Sequence, residues 1–474
     1  RAINYVDKLE SIDILIIDEF YKASGKFDSQ RAPMLIKAIL QLGQIAKQKY
    51  FLAPNIKTLE ANPFTEGMEF YPLEFNTVFL EKHFLYETFN GDEKLKSDAL
   101  IRILGRKKTK TLIYAGTFPN IEQVSNLLLT SNKERENPLL DEFAKWLGVN
   151  YSYNWNLTKL VQRGTGIHNG KMHRSLSQIQ IKLFELDDGL ENIISTSSII
   201  EGVNTSAENV VIWANRSGKG RARLKDFTFK NIMGRSGRMF KHFVGKVYVL
   251  DQPPETEDTN LEIPFPEEIL GDLDKDSFEH QLTKEQHAKI ILYNNEMNDI
   301  FGEEIWNNIK NEHTFQISDA EVLKDIAIDM KRNPDSWNGL GYLNSTDTSK
   351  WNHALYKIIN ADKKGWGDHF STIVEFTKIL KDNWRKTIPE LLKDLEPFDV
   401  GIDKFFQLER IISFKLSALA ADVNVLQQHL LIDKNYDISR FVSWASHAFL
   451  PPLMYQLEEY GMPRMISKKF IKLV

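Results

Sequence analysis

The chain has 474 residues, which corresponds to about three domains of ordinary size. Its 60 basic and 65 acidic side chains give a net charge of −5, which excludes a uniformly basic nucleic-acid coat but still permits a local basic groove. Cysteine is absent, which excludes disulfides and cysteine-ligated zinc or iron–sulfur sites, and we expect a reducing, cytoplasmic location. No stretch reaches the ~18 apolar residues that span a bilayer, so no membrane partner is expected.

Apolar runs alternate with helical patterns in the first half of the chain. Residues 11–17 predict a buried strand, residues 33–47 a helix and residues 49–53 a second strand. The alternation then repeats as far as residue 251. It predicts strands at 111–115, 164–168, 192–195, 209–213 and 246–250, and helices at 120–129, 175–186 and 227–239. This pattern is typical of parallel βαβ units, and therefore of an α/β fold.

The remainder of the chain has a different composition. Residues 251–276 are rich in acids and prolines, which indicates a linker or a surface excursion. Helical periodicity dominates from residue 277 onward, for example in residues 405–425 and 439–460. Four tryptophans of this region could stack on bases, but tryptophan at helical spacing is more often core, and we assign them to the core. They are Trp337, Trp351, Trp366 and Trp384.

Two adjacent carboxylates, Asp18 and Glu19, follow the first predicted strand. In open α/β sheets ligands bind beyond the carboxyl ends of the strands. An Asp there can hold Mg²⁺ bound to nucleotide phosphates, and a neighbouring Glu can orient or deprotonate an attacking water. The alternative is a strand followed by a solvated acidic turn, and residues 18–21 taken alone favour that alternative.

Paired arginines and glycines occur in residues 231–238. On a helix, Arg235 and Arg238 would share one face, and Gly234 and Gly237 would let the backbone approach a neighbour closely. Two guanidinium groups on one face suit a polyphosphate. The alternative is a solvated basic face, which the paired glycines make less attractive.

Small hydroxyl residues follow the strand predicted at 192–195. The hydroxyls and backbone N–H groups of residues 195–207 can bind phosphates, although the same residue types also cap helices and form turns. Residues 164–171 are glycine-rich and basic, but they do not match the P-loop pattern, and no other stretch of the chain matches it.

Taken in order, these segments resemble the motifs of superfamily-two helicases of the DExD/H type. The resemblance covers about half the chain, from residue 11 to residue 250. Residues 18–21 resemble the Walker B motif, 52–56 occupy the place of the Ser-Ala-Thr motif, 166–170 resemble Gly-x-x-His-x-Gly, 195–207 resemble Thr-x-x-x-x-x-Gly-Val-Asn-x-Pro-Ala, and 231–238 resemble Gln-x-x-Gly-Arg-x-Gly-Arg. The last two forms point to the DExH branch. Residues 195–204 and the long helical tail are similar to bacterial defence-associated helicases of the Hachiman type.

The resemblance implies ATP and Mg²⁺ as cofactors and DNA or RNA as the partner. Asp18 would hold Mg²⁺ and Glu19 would activate water. Arg235 and Arg238 would reach the γ-phosphate across a cleft. The other implied assignments are Gly202, Asn204 and Asn231 to the nucleotide, and Thr196, Ser197, His168 and Asn169 to the nucleic acid.

Charge supports a groove near the arginine motif. Residues 215–246 contain ten Lys and Arg side chains, among them Arg216, Arg221 and Arg223, and Asp226 is the only acid. Neutralising several phosphates in this way gives salt-sensitive, sequence-independent binding. The alternative, a solvated surface loop at residues 217–225, accounts for about half of these side chains.

The sequence differs from the family pattern at three motifs, and it lacks a P-loop. Tyr21 replaces the usual His or Asp, Ala53-Pro54-Asn55 replaces Ser-Ala-Thr, and Asn231 replaces Gln, which puts the coupling of hydrolysis to strand movement in doubt. The family places its P-loop before the Walker B motif, whereas seventeen residues precede Asp18 here. We therefore interpret the chain as a piece of a longer protein, and we expect it to be inactive without the P-loop.

The resemblance also divides the chain. Residues 1–88 would be the end of a first RecA-like domain, 89–252 a second one, 253–276 an acidic linker and 277–474 an α-helical accessory domain. The function that this predicts is an ATP-dependent nucleic-acid helicase or translocase. The alternatives are a nucleic-acid-binding module without hydrolysis, or a defence component regulated by a protein partner such as a nuclease.

Overall fold

The computed structural model forms two compact units, each built from three stretches of the chain. Unit 1 comprises residues 1–72, 258–384 and 408–450, and unit 2 comprises residues 73–257, 385–407 and 451–474. The residues that the structure describes are 6, 8–29, 31–73, 78–105, 109–134, 136–199, 207–218, 222–236, 244–266, 269, 282–312, 315–317, 319–431 and 436–471.

All strand pairs in the described residues are parallel, which confirms the predicted strand arrangement. The strands are β1 (Ile12–Ile17), β2 (Ala46–Phe51), β3 (Thr58–Leu59), β4 (Phe79–Phe84), β5 (Thr111–Tyr114), β6 (Thr165–His168), β7 (Asn192–Ser195), β8 (Asn209–Ile212), β9 (Val244–Val249) and β10 (Asn260–Leu261).

Helices connect most of these strands and make up most of the chain after β10. Those up to β9 are α1 (Gly25–Asp28), α2 (Ala32–Gln44), α3 (Tyr86–Phe89), α4 (Glu93–Leu104), α5 (Phe118–Ser131), α6 (Pro138–Asn150), α7 (Asn156–Val161), α8 (Arg174–Glu185) and α9 (Asp226–Met233). Those after β10 are α10 (Lys284–Phe301), α11 (Glu303–Glu312), α12 (Ala320–Arg332), α13 (Asn352–Ala361), α14 (Phe370–Asn383), α15 (Ile388–Asp394), α16 (Ile402–Arg410), α17 (Ser417–Leu430), α18 (Ser439–Ser446), α19 (Pro452–Glu459) and α20 (Arg464–Ile471).

Unit 2 contains a six-stranded parallel sheet in the order β4-β9-β8-β5-β7-β6. Every residue of β5, β7 and β8 is buried, as expected for parallel strands with both faces covered. Their sequences are short β-branched runs, for example Ile193 and Ile194, both 0% exposed. The predicted fold class is therefore confirmed: the chain has a RecA-like α/β architecture followed by a mostly helical region.

Unit 1 contains the parallel pair β1–β2, which confirms the first two predicted strands. The prediction that β1 is buried throughout is wrong. Leu15 is buried, whereas Ile14 and Ile16, on the opposite face of the strand, are 53% and 61% exposed. The reason is that α2 contacts this two-stranded sheet from one side, which leaves the second apolar face uncovered in the described residues.

The helical part of unit 1 has an aromatic core. Trp337, Trp351 and Trp366 are each 2% exposed or less, which confirms their assignment to the core. Trp351, for example, packs edge-on against Phe441 at 5.3 Å between ring centroids. Trp384 is half-buried.

Two predicted helices end earlier than the sequence pattern indicates. The helix predicted at 227–239 ends at Met233, because Gly234 forms its C-cap, and the predicted residues 237–239 lie outside the described part of the chain. The helix predicted at 439–460 is in fact two helices, α18 and α19. The break comes just before Pro451 and Pro452, since a proline has no N–H to continue the helical hydrogen bonds.

The compact units divide the chain at other points than the predicted domains. Strand β4 lies within predicted domain 1–88, but it pairs with β9 in the sheet of unit 2. Residues 385–407 and 451–474, from the predicted accessory domain, also belong to unit 2. There Phe406 packs against His173, with ring centroids 4.5 Å apart, and against Trp155 at 5.9 Å.

Candidate functional site

The carboxyl ends of β1 and β2 lie side by side in unit 1. The Leu52 N–H donates to the Ile17 carbonyl at 2.9 Å, and the Phe20 N–H donates to the Leu52 carbonyl at 2.9 Å. The turn that carries Asp18 and Glu19 is therefore fastened to the start of the segment 52–56. This contact brings together the two segments of unit 1 that resemble helicase motifs.

The two carboxylates of this turn have different environments. Asp18 is exposed, and its Oδ1 accepts the Glu19 backbone N–H at 2.8 Å. Glu19 is half-buried and adopts the left-handed conformation, with φ 54° and ψ 38°. A non-glycine residue rarely occupies this region, because its side chain crowds the backbone there. The Glu19 carboxylate lies 2.6 Å from the Lys22 Nζ.

Tyr21 does not face solvent at this turn. It is 7% exposed and packs edge-on against Phe27, with ring centroids 5.6 Å apart. Tyr21 is thus a core residue, whereas the helicase motif that residues 18–21 resemble has His or Asp at this position.

Asp18 fits a magnesium ion that arrives with a nucleotide. Mg²⁺ usually binds through one or two carboxylates plus phosphate oxygens and water, and an exposed carboxylate at a strand end suits this mode. Over the residues that the structure describes, no group of three or more His, Cys, Asp or Glu side chains forms a cage that holds a metal by itself.

Hydroxyl groups and a histidine meet at the carboxyl ends of β6 and β7 in unit 2. His168 Nδ1 lies 3.1 Å from Ser198 Oγ, and Thr196 Oγ1 lies 3.2 Å from the same oxygen. The Thr196 N–H donates to the His168 carbonyl at 3.4 Å. We call His168, Thr196 and Ser198 the hydroxyl cluster. Ser197 lies between its members and is half-buried.

His168 is itself shielded from water. It is 5% exposed, and this burial lowers its pKa from 6.5 to about 4, because the charged imidazolium loses hydration. The imidazole is therefore neutral at pH 7. Asn169 is also buried, and its Oδ1 accepts the N–H groups of Lys171 and Met172 at 3.0 and 3.2 Å, so its amide shapes the turn after β6.

A basic loop follows β8 at the same edge of the sheet. The Asn215 N–H donates to Asp251 at 2.7 Å, and the Leu224 N–H donates to Asn215 Oδ1 at 3.1 Å, which closes the loop at its base. Arg216 is half-buried and Arg223 is exposed. We call the described residues 215–218 and 222–224 the basic loop.

The backbone of Arg216 is fixed by β5. The Tyr114 hydroxyl donates to the Arg216 carbonyl at 2.9 Å. Gly116 has φ +79°, and a Cβ at this position would overlap the Arg216 carbonyl oxygen. Only glycine fits this close approach, so Gly116 places the basic loop beside the end of β5.

Sequence reasoning missed two features of this edge. Thr117 is the N-cap of α5, and its side chain accepts the Asn120 N–H at 3.4 Å, so the positive end of a helix dipole lies at the carboxyl end of β5. Lys171 lies with its Nζ 4.0 Å from the centre of the Phe118 ring and 2.5 Å from Gln407 Oε1. The sequence Ala-Gly-Thr after the strand predicted at 111–115 could have indicated the start of α5. The contact between Lys171 and Gln407 could not be predicted, because the two residues are far apart in sequence.

The arginine motif lies at the opposite edge of the sheet. Arg235 follows the cap of α9, so it is not on a helix as predicted, and its carbonyl accepts the Ala207 N–H at 3.3 Å. The Ser236 hydroxyl lies within hydrogen-bond distance of the carbonyls of Glu208 and Lys246, at 3.2 and 3.1 Å, near the amino ends of β8 and β9. The backbones of Arg216 and Arg235 therefore lie at opposite edges of the sheet, and the predicted basic groove stays a prediction.

Asn231 lies in α9, half-buried, two residues before the helix ends. Asp226, the one acid of the basic run, is paired with Lys230 at 2.6 Å. The predicted site residues Gly202, Asn204, Arg221 and Arg238 lie outside the described residues.

In its described residues the chain is thus an α/β protein with a RecA-like sheet, a strand-end carboxylate pair in unit 1 and a basic, hydroxyl-rich sheet edge in unit 2. No protein-family model matches it. It is similar to anti-bacteriophage protein B of Escherichia coli strain K12, with 34% identity over 57% of this chain and 37% of the relative. It is also similar to DNA polymerase theta of Caenorhabditis elegans, with 25% identity over 52% of this chain and 17% of the relative.

The chain thus spans well under half the length of these curated relatives. Among the described residues, no helix combines the length and the apolar character that crossing a bilayer requires.

Proposed function

We propose that this chain is part of an ATP-dependent nucleic-acid helicase or translocase. The observation that carries the proposal is the carboxyl edge of the six-stranded sheet. There the hydroxyl cluster, the basic loop and the amino end of α5 follow four neighbouring strands of the order β8-β5-β7-β6. Hydroxyls, arginines and a helix amino end are the groups that hold phosphates in proteins.

Unit 1 supplies the proposed hydrolytic groups. Asp18 would hold Mg²⁺, which when bound neutralises charge on the nucleotide phosphates. Glu19, half-buried at the end of β1, would orient the attacking water and accept its proton. In unit 2, Asn231 and Arg235 are proposed to contact a nucleotide and not the nucleic acid. The location of Arg235 at the amino edge of the sheet supports this separation.

Unit 2 supplies the proposed strand-binding surface. Thr196 and Ser197 are half-buried, so their hydroxyls are accessible in part, and Arg216 and Arg223 add two positive charges at the same edge. Hydroxyl and guanidinium groups bind phosphate oxygens, so we expect binding to the sugar–phosphate backbone without strong sequence preference. The similarity to a protein named as a DNA polymerase and to one named as anti-bacteriophage supports nucleic acid as the partner.

Strand binding is tested with the chain itself. Fluorescence anisotropy with labelled single-stranded DNA and RNA is measured over a range of salt concentrations. Arg216→Ala and Arg223→Ala are each expected to weaken binding and to reduce the slope of log K against log salt by about 0.7, because one phosphate contact is lost. The matched control is Arg102→Ala, which removes an exposed arginine from α4. A slope equal to that of the wild type in both loop variants would exclude the basic loop as the strand-binding surface.

Hydrolysis is tested in a longer protein that contains this chain and a P-loop. Single-stranded nucleic acid should stimulate its ATPase activity, and Glu19→Gln should reduce kcat by at least about a hundredfold, since proton transfer by a positioned carboxylate contributes that much. Undiminished hydrolysis in Glu19→Gln would refute the assigned site.

A second candidate is a nucleic-acid-binding module without hydrolysis. It is favoured by the fact that the proposed strand-binding groups all lie within unit 2, whereas the carboxylate pair lies in unit 1. Full strand binding combined with no nucleotide-dependent activity in the longer protein would support this candidate over the first.

A role in antiviral defence is proposed on the similarity to the anti-bacteriophage protein. Phage plaque counts in a bacterial host that expresses the longer protein test it, with Glu19→Gln and Arg216→Ala beside the wild type. Loss of protection in both variants is expected. Protection that survives both would show that neither proposed site is needed for it. A regulatory partner such as a nuclease stays a prediction, as does the cytoplasmic location.

A further inference from the structure

Lys22 is an unusual lysine. It lies in the 3-10 turn Phe20–Ala23 directly after the carboxylate pair, and it is 8% exposed. Lysine is almost never fully buried unless it is paired, because its ammonium group loses hydration. Here the Nζ lies 2.6 Å from Glu19 Oε2. The Glu19 side chain is also partly shielded, at 29% exposure, so solvent screens this pair less than an exposed one.

The backbone at Glu19 needs such support. Its left-handed conformation is sparsely populated for residues other than glycine and persists where the surroundings fix it. The Asp18 side chain holds the Glu19 N–H, and Lys22 holds the Glu19 carboxylate. The 2.6 Å contact shows that the two side chains lie on the same side of the turn.

The preceding residue, Tyr21, does not point toward the Glu19 carboxylate as Lys22 does. Its ring is buried against Phe27 and has turned into the core of unit 1. The charged contact to Glu19 thus comes from Lys22 and not from Tyr21.

We propose that Lys22 is a positioning residue that holds the Glu19 carboxylate in its reactive orientation. This inference rests on the proposed function, in which Glu19 acts on water. Lys22 does not touch the nucleotide in this proposal. Its effect is on the turnover step through Glu19, and it leaves nucleotide binding unchanged.

The test uses a protein in which this chain is joined to a P-loop segment, as the proposed function requires. The variants are Lys22→Met, which keeps the length of the side chain without its charge, and Lys22→Arg, which keeps the charge. The control is Lys26→Met, at an exposed position one turn further on in α1. Steady-state ATPase assays with single-stranded DNA give kcat and KM, a fluorescent ATP analogue gives nucleotide affinity, and circular dichroism melting checks folding.

Lys22→Met is expected to lower kcat by about tenfold or more, since misplacing a reactive group has effects of this order or larger, with KM and nucleotide affinity within about twofold. Lys22→Arg should recover most of the loss, and Lys26→Met should behave like the wild type.

Three results would overturn the inference, and they differ from one another. A normal kcat in Lys22→Met, beside an inactive Glu19→Gln, would remove Lys22 and leave the proposed function standing. A full kcat in Glu19→Gln would remove the proposed hydrolytic site and Lys22 with it. Equal losses in Lys22→Met and Lys22→Arg, with lowered melting temperatures in both, would show a purely structural role.

Discussion

Replacing His168 by Gln should remove a large part of the acid sensitivity of unit 2. His168 is 5% exposed at the end of β6, and burial lowers its pKa to about 4, against 6.5 for an exposed histidine. Glutamine keeps a polar group near Ser198 but does not take up a proton in this range. The variant thus separates the titration of His168 from the packing of its side chain.

The size of the effect follows from the two pKa values. Between pH 6.5 and pH 4 the unfolded chain binds a proton at His168 that the folded chain does not bind, so stability falls as the pH falls. Above about pH 6.5, His168 is neutral in both states and does not reduce the stability of the fold. As the pH falls from 6.5 toward 4, the free energy of unfolding decreases progressively. At pH 5 the loss amounts to about 2 kcal/mol, and below pH 4 it approaches about 3 kcal/mol.

Urea unfolding followed by tryptophan fluorescence at pH 7 and pH 5 measures this loss. Between these pH values the wild type should lose about 2 kcal/mol more stability than His168→Gln. His353→Gln, at an exposed position in unit 1, is the control and should keep the pH dependence of the wild type. Identical pH dependence of wild type and His168→Gln would refute the reasoning, as would a direct NMR titration that gives His168 a pKa near 6.5.

Three further substitutions test the packing that supports the two units. Gly116→Ala should push the Arg216 carbonyl away, cost about 1–3 kcal/mol of stability because φ is +79°, and weaken single-strand binding by anisotropy. Asp422→Ala should destabilise unit 1 by about 2–4 kcal/mol in urea unfolding, since its carboxylate accepts two backbone N–H groups at 2.7 and 2.9 Å. Arg464→Met should cost about 2–4 kcal/mol in the same assay, because it leaves the half-buried Glu458 carboxylate without its two-point partner at 2.6 and 2.8 Å.

Five of the six strands in the sheet of unit 2 were predicted, and most of these are short apolar runs bounded by polar residues. The predicted strand 192–195 coincides with β7, and the predicted strand 111–115 differs from β5 by one residue. A strand buried on both faces needs apolar side chains at consecutive positions, and few other structures have this pattern at this length. Strand β4 was missed because its sequence, Phe-Leu-Glu-Lys-His-Phe, is polar in the middle, as an edge strand allows.

The helix ends were less predictable than the helices. The pattern from 227 to 239 continues past Gly234, and the glycine acts as a cap because of its place in the fold, where Ser236 must reach two strand carbonyls. The sequence shows a Pro-Pro pair at 451–452, which indicates a helix end. We nevertheless predicted one helix over 439–460, because the apolar residues have helical spacing on both sides of the pair.

The candidate site was predictable as a set of segments but not as a set of contacts. Asp18 and Glu19 were assigned because their segment comes first in a series that resembles helicase motifs in the right order, although residues 18–21 alone favoured a solvated turn. Lys22 was missed, since a lysine three residues further on looks like a surface residue until the 3-10 turn and its burial are known. Gly116 was missed for a similar reason: the need for glycine arises from the Arg216 carbonyl, one hundred residues away.

The division of the basic run between two edges follows from the topology of the sheet. A chain that leaves a parallel strand at its carboxyl end must return to the amino end before the next strand begins, and here α9 makes most of this return. With eight residues and a rise of about 1.5 Å per residue, α9 alone separates its two ends by about 12 Å. The backbones of Arg216, before the helix, and Arg235, after it, therefore lie at opposite edges of the sheet. A continuous run of positive charge in sequence is thus divided between two edges of the sheet, and this separation supports the proposal that a nucleic-acid strand and a nucleotide bind at different places.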